Sequence, residues 1–163
     1  MKMRNLMIFL PLLFSVPHSL LSQELNWTNF EELVELQRKE VRPLMIFIHA
    51  DWCKFCLMQE NNTFTDKEIA QYLNENYYVL KLNGESQEAI RFLGREYRYK
   101  SNGAGTGQHQ LAEFLGKVDG RLSYPTTVIL SPEFQLKGRE NGFLNKDAFI
   151  ILLRQAFPAL SAG

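Results

Sequence analysis

Apolar residues fall along the chain in short runs and spaced sets that read as alternating strands and helices. Phe30, Leu33, Val34 and Leu36 recur at helical spacing, and Thr28 with Glu31 has the form of a capping box. Together they predict an amphipathic helix over 28–40. Pro43 stops it. Leu44–Ile48 is a continuous apolar run of strand length, as expected of a strand buried on both faces. Helix-compatible residues resume after Cys53 and run to Glu60. Thr65 with Glu68 forms a second capping box, opening a helix to about Glu75. Tyr77–Leu82 reads as the next strand, and Ser86–Tyr97 as the next helix.

A glycine-rich stretch over 100–108 reads as a flexible loop, and Leu111, Ala112, Phe114 and Leu115 suggest a short helix after it. Thr126–Leu130 is another strand, Ser131-Pro132 punctuates a turn, and Gln135–Glu140 is an edge-strand candidate. Asn145 caps a last helix whose Phe149, Ile150, Leu152, Leu153 and Phe157 mark the inward face. Strands alternate with helices and then two strands follow each other. That order predicts an α/β domain, a central mixed β-sheet with helices on both faces.

The first 22 residues have a different character. Lys2 and Arg4 precede an apolar run from Leu6 to Phe14, broken by Pro11 and followed by Pro17. This is the pattern of a secretory signal peptide, with cleavage expected near Ser22–Gln23. The run is shorter than the roughly 20 residues of a membrane span. No repeat or linker divides the remainder, so 23–163 is expected to form one domain.

Composition narrows the function. Of 163 residues, 45% are hydrophobic and 22% charged, which excludes disordered and collagen-like chains. Lys+Arg and Asp+Glu both number 18, so the basic excess of a nucleic-acid binder is missing. Two cysteines are too few for a disulfide scaffold or a four-thiolate zinc site. No metal and no cofactor is expected beyond the two cysteines themselves. An exported chain meets an oxidising or managed thiol environment. There, a closely spaced pair suggests redox work.

Cys53-Lys54-Phe55-Cys56 follows the buried strand and opens a helix. At a helix N-terminus, unpaired N–H groups and the macrodipole stabilise an anion. The Cys53 pKa is therefore expected below the free value of about 8.5, and Lys54 acts in the same direction. Cys56, one turn further in, is within reach of a disulfide but shielded from solvent. The chemistry that follows is thiol–disulfide exchange, with Cys53 forming the mixed disulfide and Cys56 resolving it. Three other readings stand beside it: a structural disulfide, which removes little denatured-state entropy at so short a span, a copper carrier using both thiolates, and a scaffold whose thiols do not matter.

Ala50-Asp51-Trp52-Cys53-Lys54-Phe55-Cys56 resembles the active-site segment of thioredoxin-fold proteins. Tyr124-Pro125-Thr126-Thr127 is similar to the family's cis-proline loop, and Asn141-Gly142-Phe143-Leu144 to its closing segment. With Asn62-Thr63-Phe64 added, the resemblance is to the exported branch near the C-terminal domain of the membrane thiol reductant DsbD. It implies a thioredoxin-like fold, a cis Pro125 opposite Cys53, a Tyr124 backbone that hydrogen-bonds an incoming chain, and a Trp52 packed beside the disulfide. Phe55, Thr126 and His49 complete the expected site. It further implies protein thiol or disulfide substrates, a membrane or soluble thiol as electron donor, a monomer, and the periplasm of a Gram-negative bacterium. Reduction is the expected direction, with oxidation the alternative.

The sequence departs from the family in two places. Many members carry a buried Asp six residues before the first cysteine, and here that residue is Phe47. Candidate proton acceptors are then His49, Glu60, another carboxylate or water. The segment from about Tyr97 to Gly120 is also longer than a minimal thioredoxin needs, and suggests one wall of a substrate groove. Among residues declined for chemistry, His109 is expected to start a helix. Gly103–Gly107 lacks the Lys-Ser/Thr ending of a phosphate loop. Arg91, Arg95, Arg98 and Lys100 are expected on a solvated helix face.

Overall fold

The computed structural model describes residues 24–103 and 105–158; the expected signal peptide, 1–22, lies outside them. In chain order the elements are β1 (Trp27–Thr28), α1 (Leu33–Lys39), β2 (Leu44–His49), α2 (Lys54–Asn62), α3 (Lys67–Asn76), β3 (Tyr78–Asn83), β4 (Ile90–Phe92), β5 (Arg95–Tyr97), β6 (Tyr99–Ser101), β7 (Gly107–His109), α4 (Gln110–Gly116), β8 (Thr126–Leu130), β9 (Leu136–Asn141) and α5 (Lys146–Ala156).

Five strands form the main sheet in the order β1-β3-β2-β8-β9. β2 takes the centre because its sequence offers no polar face: Leu44 to Ile48 are all fully buried. It pairs in parallel with β3, His49 opposite Asn83, and antiparallel with β8, Ile48 opposite Thr126. Alternate β2 side chains serve two cores. Met45 and Phe47 join Val79 and Ile129 against Ile69, Leu73, Phe149 and Leu152 of α3 and α5. Leu44, Ile46 and Ile48 join Leu80, Leu82 and Val128 against Leu33 of α1 and Leu111 and Leu115 of α4. Each such side chain contributes about 1.5–3 kcal/mol on leaving water. This is the mixed α/β sheet that the sequence pattern predicts, in the thioredoxin-like form that the resemblance implies.

The N-terminal helix is shorter than its periodicity suggests. Thr28 is extended and pairs with Leu80, and Asn29 Oδ1 accepts from the Glu32 N–H at 2.8 Å, closing the turn before α1, whose N-cap Glu32 makes no side-chain cap bond. Thr28–Glu31 is therefore not a capping box. Nor is Thr65–Glu68: Asp66 caps α3, accepting from the Glu68 and Ile69 N–H groups, while the Thr65 hydroxyl donates to the Asn61 carbonyl. An ionised carboxylate one residue nearer the helix is the stronger acceptor.

The expected helix over 86–97 is a β-hairpin. β4 and β5 pair antiparallel around Leu93 and Gly94, whose φ angles are 52° and 75°. Two positive φ values in a two-residue turn are the mark of type I′, whose twist suits a hairpin. The apolar spacing in this stretch fits two periods. Ile90 and Phe92 alternate with Arg91, as Tyr97 does with Glu96, so Gly94 decides in favour of strands. The glycine-rich loop is likewise shorter than expected, since β6 and β7 pair at its ends. Arg91, Arg95, Arg98 and Lys100 thus lie on or beside the two hairpins, not on a helix. Arg91 and Arg98 pair with Glu96, and Arg95 stacks on Tyr97. Both hairpins and α4 belong to one long crossover between β3 and β8.

Candidate active site

β2 ends at His49, and the chain turns through Ala50, Asp51 and Trp52 into α2. The Cys53 N–H donates to the Ala50 carbonyl at 3.0 Å, tightening that turn. Cys53 is the N-cap of α2, and its Sγ accepts from the Cys56 N–H at 3.1 Å. The two cysteines form a disulfide with an S–S distance of 2.06 Å. Cys53 is 6% exposed and Cys56 2%, so the second sulfur is the more shielded, as its place one turn further in dictates. An N–H aimed at Sγ of residue 53 is the donor that would stabilise a thiolate there.

Around the pair the surface is apolar and open. Trp52 is 69% exposed and Phe55 62%, and Lys54 is exposed between the cysteines. The Trp52 indole N–H donates to Glu85 at 3.0 Å, and its ring meets Tyr124 edge-on at 5.9 Å. That contact joins the residue before Cys53 to the residue before Pro125. The Tyr124–Pro125 bond is cis. The Pro125 carbonyl accepts from the Gly142 N–H at 2.7 Å, tying the loop to the end of β9. Thr126 is fully buried, and its hydroxyl donates to the Ser123 carbonyl. Burial and the nearby carboxylates of Glu85 and Glu113 raise the Tyr124 phenol above its ordinary value.

Beside the disulfide lies an open cleft of about 350 Å³, touching both cysteines and lined by apolar Trp52 and Leu57 as well as by His49, Glu60 and Lys81. Lys81 binds Glu60 at 2.6 Å, an ion pair only partly exposed. His49 is held below its ordinary pKa by burial first and by the Lys81 charge second. Phe47, six residues before Cys53, is fully buried in the same core cluster as both cysteines; its ring stacks on His49 at 6.1 Å and packs edge-on against Phe64 at 5.0 Å, so this position offers no proton acceptor. The polar groups stand instead on the neighbouring strand and one turn along the helix from Cys56.

Sequence reasoning named Glu60 but missed its partner Lys81, which reaches the cleft only through the β2–β3 register. It missed Asn83 and Glu85 for the same reason; the Asn83 amide donates to Asp51 at 3.0 Å. His109, expected at a helix start, is the N-cap of α4, its Nδ1 accepting from the Leu111 N–H. Among the described residues no group of three or more His, Cys, Asp or Glu converges as a metal cluster would, and no helix is long and apolar enough to cross a membrane.

A dithiol/disulfide pair capping a helix on this sheet, beside a cis-proline loop, defines the class of thioredoxin-like thiol–disulfide oxidoreductases. The thioredoxin-like family model matches residues 26–132, and the chain belongs to that family. It is 33% identical over 55 residues to the thiol:disulfide interchange protein DsbD of Campylobacter jejuni, a match spanning 34% of this chain and 10% of that protein. A thioredoxin from Thermus thermophilus superposes with a TM-score of 0.58 at 19% identity, over 85% of this chain and 91% of the other. The oxidised C-terminal domain of Neisseria meningitidis DsbD superposes at 0.50 and 17% identity, over 80% and 97%.

Proposed function

We propose that this protein is exported and reduces disulfide bonds of client proteins in the bacterial cell envelope, with Cys53 as nucleophile and Cys56 as resolving thiol. In the reduced protein, the Cys53 thiolate attacks one sulfur of the client disulfide. A Cys53–client bond forms and the other client sulfur leaves as a thiolate. Cys56, deprotonated, then attacks Sγ of Cys53, releasing the second client thiolate and closing the Cys53–Cys56 disulfide. Two electrons pass to the client, and a thiol donor, membrane-bound or soluble, returns the pair to the dithiol. The Glu60 carboxylate takes the Cys56 proton, with Lys81 offsetting its charge and His49 bordering the same cleft. The backbone at Tyr124 receives the client chain. The protein acts as a monomer.

The observation that carries this reading is the capping arrangement, with Sγ of residue 53 accepting the Cys56 N–H while Cys56 lies behind it. The charged-then-apolar pattern of residues 1–22 supports export. The test is a trap. In Cys56→Ser the mixed disulfide cannot be resolved, so envelope extracts should yield adducts through Cys53, and the wild type should reduce insulin. No adducts together with no insulin reduction would defeat the proposal.

A further inference from the structure

We infer that Gln59 is a positioning residue for this exchange, holding the helix that carries the cysteines in fixed register with the strand that begins after Pro125. The inference rests on the functional reading above. Gln59 is 0% exposed. Its Nε2 donates to Thr127 Oγ1 at 3.2 Å and its Oε1 accepts from the Leu144 N–H at 2.9 Å. Thr127 stands two residues after Pro125. Leu144 follows the turn whose Gly142 N–H donates to the Pro125 carbonyl. The Thr63 hydroxyl at the end of α2 also donates to the Leu144 carbonyl at 2.6 Å. One amide therefore joins the three segments that frame the disulfide.

Apart from the Glu60–Lys81 ion pair to β3 and the Thr63 bond at its end, α2 has few buried anchors. Its only fully buried residues are Cys56 and Gln59, and one of these is a reacting sulfur. A Met or Leu of similar volume would fill the site without burying an amide, whose desolvation is unfavourable unless every bond is made. What the amide adds over an apolar residue is direction. Its two bonds fix rotation and slide of α2 against β8, and so the separation between Sγ of Cys53 and the Tyr124 backbone. Small displacements of reacting groups lower rates steeply when the substrate must be docked. A small disulfide that needs no docked chain is indifferent to them.

The test compares two substrates in Gln59→Met and Thr127→Val, with Thr127→Ser as the conservative control. Each reduced protein is mixed with dithiobis(nitrobenzoate), whose first released thiolate reports attack by Cys53 on an undocked disulfide, and with insulin. Gln59→Met and Thr127→Val should keep the small-disulfide rate within about twofold and lose about tenfold with insulin, and Thr127→Ser should retain both. A merely structural role predicts parallel loss, or loss of thermal stability without a change in the ratio; either result overturns the inference. If Gln59→Met does not fold, Thr127→Val decides alone. Variants that keep pace on insulin overturn the inference while leaving the reductase reading intact. A wild type that leaves insulin oxidised overturns both.

Discussion

Gly84 and Tyr124 are packed so closely that a Cβ on Gly84 would stand 2.4 Å from both Cε1 and Oη of the tyrosine. Gly84 also donates its N–H to the His49 carbonyl and accepts from the His109 N–H, both at 2.7 Å. One small residue thus lets the end of β2, the long crossover and the cis-proline loop meet. Gly84→Ala must push the Tyr124 ring aside. The expected cost is about 1–3 kcal/mol of unfolding free energy, measured in denaturant, together with slower insulin reduction. Tyr124→Leu in the same background should recover part of the stability. Full stability in Gly84→Ala alone would show that the ring moves freely.

The cleft beside the disulfide predicts which groups serve the resolving step. Glu60→Gln should slow release of the second client thiolate about a hundredfold, at the low end for loss of a general base. Alkylation of Cys53 should be unaffected. His49→Gln should leave release nearly unchanged, because burial and Lys81 both oppose a charge on that ring. Stopped-flow decay of a preformed mixed disulfide separates the two. Equal slowing by both variants would reassign the acceptor.

Cys53 should behave as an activated thiol. In the reduced protein at mildly acidic pH, iodoacetamide should label it faster than a free cysteine of pKa about 8.5. Lys54→Glu should slow that labelling several-fold by reversing the adjacent charge. Labelling no faster than glutathione would remove the nucleophile from the scheme.

His109 makes stability depend on pH. It is fully buried, its Nδ1 accepts from the Leu111 N–H, its Nε2 lies 3.1 Å from the Glu88 carbonyl, and burial lowers its pKa. The unfolded chain takes up a proton near the ordinary value of 6.5, whereas the folded chain resists until lower pH. Between those points the unfolded state binds more protons, so stability falls as pH falls. His49, lowered in the same direction, adds to the trend. Unfolding free energy should be level above 6.5 and decline below it, with a shallower decline in His109→Gln. An identical decline in that variant would clear His109.

Much of the fold was legible because the central strand permits one reading. Five successive apolar residues before a Cys-x-x-Cys leave no amphipathic alternative, and Asn145 and His109 start helices where sequence placed them. The errors share a cause. At Thr28, Thr65 and Ser86–Tyr97 two local solutions competed, and the choice was made by contacts distant in sequence or by a single backbone conformation. Leu93–Gly94 is the clearest case: only a positive φ at both residues separates a hairpin from a helix with the same apolar content. The site was legible at the cysteines and at Pro125, where chemistry demands particular residue types. It was not legible at Lys81 or Glu85, which strand register and the crossover alone deliver. Gln59 left a faint trace, a polar residue at helical spacing from Cys56 on the side of α2 that faces inward.

The crossover leaves the sheet at Asn83, which holds Asp51, and returns at Tyr124, which meets Trp52. Both of its ends are pinned beside the reacting sulfurs, while no strand of its two hairpins pairs with the main sheet. A change along it therefore reaches the disulfide by two routes: through these fixed ends, and through α4, whose Leu111 and Leu115 pack beneath the central strand.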